Sequence, residues 1–215
     1  MSANIIDLSK IKFHGFSSSE NWIGYFQWIG CHVGNWSEQG YEYSEDLVHK
    51  AGLLIYEYFK DNWNDFFLLS ALSCCDEIKG EPELTQQLND PIIDKYYGDT
   101  YREAKKRNLF IPQNIGYGEW LDDDNAELPA KFIRLCFDKD FILPFSEMVM
   151  AMVFSKVVGQ QCFLINPKLQ IALYPHDDIG YGCIDLGDNP KILTDFLDYC
   201  DKSQDFISHI EEQYR

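Results

Sequence analysis

A chain of 215 residues, 46% hydrophobic and 15% aromatic, can bury a sizeable core and is too apolar to be a disordered tail. Its 35 acidic residues outweigh 18 basic ones, a net charge of −17 that disfavours nucleic acid and anionic membrane and favours cations or a basic protein. Seven cysteines without a C-x-x-C pair signal neither zinc nor dithiol redox chemistry.

Residues 1 to 21 form an irregular lead that ends in Ser17-Ser18-Ser19. Met1 to Lys10 has no basic run followed by a long apolar one, and no 18-residue apolar stretch occurs, so a cytoplasmic protein is expected. Trp22 to Val33 is aromatic and too Gly-rich for a good helix, and reads as strand. Ser44 offers an N-cap, with Glu45 and Asp46 where the helix dipole favours acids. Leu47, Ala51, Leu54, Ile55, Tyr58 and Phe59 recur at 3.6-residue spacing, which predicts an amphipathic helix over 45–60. Asp65 to Leu72, around Phe-Phe-Leu-Leu, reads as a short strand.

Residues 76 to 127 are more weakly patterned and read as a variable insertion. Within them, 92–107 hold one short helix closed by Asn108, Pro112 to Gly118 is loop, and Glu119 to Glu127 is strongly acidic. Pro129 to Cys136 fits helix or strand. Phe145 to Val158 is apolar on nearly every side, which predicts a buried helix capped by Ser146 and stopped by Gly159. Its Met148, Met150 and Met152 are expected in the core.

Gln161 to Gly187 organises the chain. It reads as three short strands, with turns at Asn166-Pro167 and from Pro175 to Gly180. Pro175 cannot donate to a ladder and belongs at a strand end or edge. Asn189-Pro190 then starts a long terminal helix. Leu193, Phe196, Leu197, Cys200, Gln204, Ile207 and Ile210 would face inward, with Asp195, Asp198, Asp201, Asp205 and Glu212 outward. The sum is one α/β (α+β) domain over 1–215: a mixed sheet with flanking helices, and a C-terminal β-hairpin followed by the long terminal helix.

Chemistry is sparsely signalled. His14, His32, His49, His176 and His209 form no H-x-x-x-H, and a nucleophile elbow, a P-loop and a dinucleotide fingerprint are all absent. The one constellation is His176-Asp177-Asp178 with Asp185. It could hold a divalent metal or serve as general acid and base; the same residues also suit plain capping of a turn, or contact with a partner. Neighbours on a strand point in different directions, which works against convergence on one atom. No catalytic residue, metal ligand or cofactor is assigned. The cysteines lie mostly in apolar runs and are expected to be free and unreactive.

A partner-binding face should combine carboxylates with exposed aromatics, and two stretches offer that mixture. One is the loop with Tyr117, Glu119, Trp120, Asp122, Asp123 and Asp124. The other is the hairpin turn with His176, Asp177, Asp178 and Tyr181. The loop is favoured, because a long polar connection can vary its contacts without disturbing a core.

The segment Leu173-Tyr174-Pro175-His176-Asp177-Asp178-Ile179-Gly180, then Tyr181 to Leu186 and Pro190 onward, resembles a bacterial domain family of undefined activity. That family has a strand, a tyrosine, a doubly acidic turn ending in glycine, a second strand and a long terminal helix. Its members usually carry an arginine before the glycine and an acid soon after it, where this chain has Ile179 and Gly182. In composition and organisation the whole chain also resembles the immunity proteins of polymorphic-toxin and contact-dependent inhibition systems. That resemblance implies a cytosolic inhibitor without enzymatic activity that masks a basic, nuclease-type toxin. The competing readings are a small metal-dependent hydrolase built on His176, Asp177 and Asp178, and an acidic regulatory domain with another protein partner.

Overall fold

Three neighbouring strands, β7 (Cys162–Asn166), β8 (Ile171–His176) and β9 (Gly180–Asp185), form the middle of an antiparallel seven-stranded sheet. The computed structural model describes residues 26–31, 45–74, 93–111, 129–151, 157–158, 162–176, 179–187 and 190–208. On one side β9 pairs with β1 (Phe26–Cys31), which pairs with the edge strand β10 (Phe206–Ser208). On the other, β7 pairs with β2 (Phe67–Ser70), which pairs with the opposite edge, β5 (Arg134–Cys136). A second, three-stranded sheet is mixed. Its centre, β3 (Leu72–Cys74), runs parallel to β4 (Phe110–Ile111) and antiparallel to β6 (Val157–Val158). With its helices this is an α+β fold.

The central strands are buried along almost their whole length because both faces of the sheet are covered. Cys162, Leu164, Ile171, Leu173, Tyr181 and Cys183 belong to the main core, while Phe163, Ile165, Ala172, Tyr174 and Ile184 alternate onto a second cluster. Double coverage explains why this stretch reads as near-continuous apolar runs and not as apolar–polar alternation. The first turn is set by Asn166, which is fully buried. Its Oδ1 accepts from the Lys168 and Leu169 amides, 3.0 Å each, and its Nδ2 donates to the Asn62 carbonyl at 3.3 Å. Pro175 is the penultimate residue of β8 and lies beyond the last β7–β8 pair, Leu164 with Leu173, so no ladder bond to β7 is lost there.

Helices pack on the main-core face. In α1 (Glu45–Phe59), Val48, Ala51, Ile55 and Phe59 turn inward at the expected spacing. A 3₁₀ segment, Lys60–Asp65, follows and places Trp63 against Phe66, ring centroids 5.3 Å apart. The described part of the expected insertion is integral to the core. A π-turn, Ile93–Tyr97, leads into α2 (Gly98–Lys106), and Tyr97, Tyr101, Ala104, Leu109 and Phe110 all join the main cluster. Asn108 ends α2 in the left-handed region, φ 57°, a conformation that Asn tolerates better than most residues. Buried Ser70 and Ser73 donate to the carbonyls of Leu109 and Ile111, at 3.1 and 2.6 Å, and so tie this segment to β2 and β3.

Two helices differ from expectation. Pro129 to Cys136 divides into a 3₁₀ turn, Ala130–Phe132, and β5, and α3 then runs Lys139–Met150. Its cap is Asp138, which accepts from the Asp140 amide at 3.1 Å; Ser146 is not the cap, and Val157–Val158 is strand. Pro144 sits inside this helix. The bond its missing amide forfeits is to the carbonyl of Asp140, an exposed residue where water can substitute. Met148 and Met150 are buried as expected; Met152 lies outside the described residues.

The C-terminal helix, α4 (Lys191–Cys200), is shorter than its apolar period suggested. Leu193, Phe196, Leu197 and Cys200 face inward, but Gln204 is exposed and Ile207, in β10, is 42% exposed. The Ser208 hydroxyl shares its one hydrogen between the Leu197 carbonyl and Asp201 Oδ1, 2.7 and 2.6 Å away, and folds the chain back into the sheet.

Arg107 clasps α2 to α3. It donates to Glu103 at 2.9 Å and to Asp138 at 2.6 Å, and its guanidinium lies 4.3 Å from the centroid of the Phe141 ring. These hydrogen bonds hold the Glu103 and Asp138 carboxyls below the usual carboxylate range. A depressed carboxyl contributes stability above its unfolded pKa of about 4 and loses it as pH falls through the folded value. Arg107→Ala should therefore lower Tm by a constant amount above about pH 5, and the difference should shrink as pH falls below about 3 to the part owed to the Phe141 contact. Thermal melts across that range check this.

Candidate functional site

Most of the expected partner-contact residues lie outside the described ones: Tyr117, Glu119, Trp120, Asp122, Asp123 and Asp124 in the loop, and Asp177 and Asp178 in the hairpin turn. His176 and Tyr181 are described, and they do not share a surface. His176 ends β8 opposite Gly180, half-buried, with its ring centroid 6.3 Å from that of Tyr174. Tyr181 is fully buried in the main core, which corrects its assignment as an exposed aromatic. The alternation of β9 turns residues 181 and 183 toward the helices and leaves 182 and 184 on the other face.

Asp185 does not join the histidine either. It pairs with Ile171 at the far end of the β8–β9 ladder, and its Oδ1 accepts from the Gly187 amide at 3.0 Å. It lies five residue steps along β9 from Gly180, about 17 Å at roughly 3.4 Å per residue. Among the described residues, no group of three His, Cys, Asp or Glu side chains is placed to hold a metal ion.

The turn that joins β8 and β9 has an unusual backbone. Ile179 has φ 54°, in the left-handed region that a β-branched residue rarely enters, and its side chain is fully buried in the main core. That burial holds it in a conformation glycine would adopt freely. On the other face, Gly182 lies opposite Tyr174, and a Cβ at position 182 would fall onto the phenol ring. The second Gly-Tyr-Gly therefore works as a packing element: its first glycine pairs with His176, its tyrosine enters the core, and its last glycine receives a tyrosine ring.

The Tyr181 hydroxyl is 2.7 Å from Ser146 Oγ, and Ser146 donates its one hydrogen to the Leu143 carbonyl at 2.9 Å. Tyr181 is thus the donor to Ser146. Burial pushes its phenol well above the ordinary value, so it stays protonated at neutral pH. Next to Ser146 on α3, Glu147 reaches His49 of α1, Oε1 to Nδ1 3.1 Å. Gly52 makes that approach possible, since a Cβ there would lie 2.7 Å from Glu147 Oε1. No spacing in the sequence signals this pair, because its members are 98 residues apart and meet only once both helices pack.

Described cations are largely engaged locally. Lys50 bridges Asp46 and Asp205, and Lys191 pairs with Asp195 one helical turn on. Tyr199 donates to Glu57 at 3.1 Å, and its ring lies 5.2 Å from that of Tyr58. Cys74, Cys136, Cys162, Cys183 and Cys200 are free and buried, and burial raises the Cys162, Cys183 and Cys200 thiols above their usual range.

No protein-family model matches the sequence, and no significant match occurs among curated proteins or solved structures. Among the described residues no helix is long and apolar enough to cross a membrane.

Two outcomes follow from these contacts. Ser146→Ala should destabilise the protein more than Tyr181→Phe, about 1–3 against about 1 kcal/mol, because only the first leaves a buried hydroxyl without an acceptor. Urea unfolding of both variants checks the order. In native protein at pH 8, a thiol reagent should label at most Cys31 and Cys75 of the seven cysteines, and all seven after denaturation.

Proposed function

We propose that this chain is a non-enzymatic binding module of the immunity type, which neutralises a cationic, nuclease-type protein toxin by covering its active site. The observation that carries the reading is the charge: 35 acidic against 18 basic side chains, with 10 acids and 3 bases in residues 176–215. A field of that sign accelerates encounter with a basic cleft and mimics the phosphates such a cleft attracts. The internal chemistry supports the same reading. The described hydroxyls and thiols in the core are spent on packing and hydrogen bonds, and Tyr181, Cys162 and Cys183 are held in their neutral forms. The acidic loop around Trp120 remains the favoured contact, with Trp120 as anchor and Asp122, Asp123 and Asp124 as steering charges.

The test is growth rescue followed by kinetics. A neighbouring gene for a large secreted protein with a toxic C-terminal domain is expected, and co-expression of this chain should restore growth. Binding of that domain should weaken with salt, chiefly through slower association. Asp122→Asn, Asp123→Asn and Asp124→Asn together should lower the association rate, and Trp120→Ala should raise dissociation. Unchanged rates in both variants would remove the loop from the interface. A metal-dependent turnover lost in His176→Ala and Asp177→Ala would replace the inhibitor with the hydrolase.

A further inference from the structure

We draw no further inference here: the strongest candidate, the side-chain cluster where α1 and α4 bring Glu57, Tyr58 and Tyr199 beside Asp195 and Asp198, is an acidic cluster whose contacts are internal to it, and nothing among the described residues points to a ligand there.

Discussion

The hydrogen bond from Tyr181 to Ser146 joins the middle of the sheet to the helix that lies across it. It is needed because β7, β8 and β9 are covered on both faces, so no polar group inside them can turn to water. Every such group must find a partner in the protein, or cost the fold about 1–3 kcal/mol. Ser70, Ser73, Ser146 and Asn166 are the buried polar side chains of the described core, and each has one. All four reach segments distant in sequence: Ser70 and Ser73 the stretch at Leu109 to Ile111 after α2, Ser146 the central strand β9, and Asn166 the 3₁₀ turn after α1. The polar groups therefore fix which segments meet, while the apolar ones supply most of the cohesion.

The same double coverage governs where function can reside. With Tyr181 and the described thiols enclosed, the chemistry available to a partner belongs to the helix surfaces, the connecting segments and the sheet edges. The helices carry acids in excess with their cations already engaged. The β5 edge carries none of that excess between Lys131 and Phe137. One chain thus presents acidic helix surfaces and, from Lys131 to Phe137, a stretch with two cations and no acid.

The parts of this arrangement that depend on local pattern were legible in the sequence. The 45–60 helix followed from one apolar stripe, and the three C-terminal strands followed from apolar runs punctuated by Asn166-Pro167 and Pro175. Asn108 marked the end of α2 by its tolerance of positive φ. Patterns misled where a tertiary contact outweighed them. Ile207 continues the helical period of α4, yet the Ser208 bonds to Leu197 and Asp201 turn the chain into a strand. The candidate site was less legible than the fold. Tyr181 and Asp185 are close in sequence to His176, but strand alternation buries one and strand length carries the other away. His49 with Glu147 is the converse case, a contact that exists only through the packing of two helices.

The strand order also sets a timetable for synthesis. β7, β8 and β9 are joined by short turns and can assemble from local contacts, but β1 and β2 are made first and pair only with later strands, β1 with β9 and β10 and β2 with β5 and β7. About 90 residues lie between the end of β2 and the start of β7, so on a ribosome moving at about 5–20 residues per second the wait lasts roughly 5–20 s. Through that interval β2 has only β5 to pair with, and β1 has no partner strand. The C-terminal third is therefore the template on which the N-terminal strands finally settle.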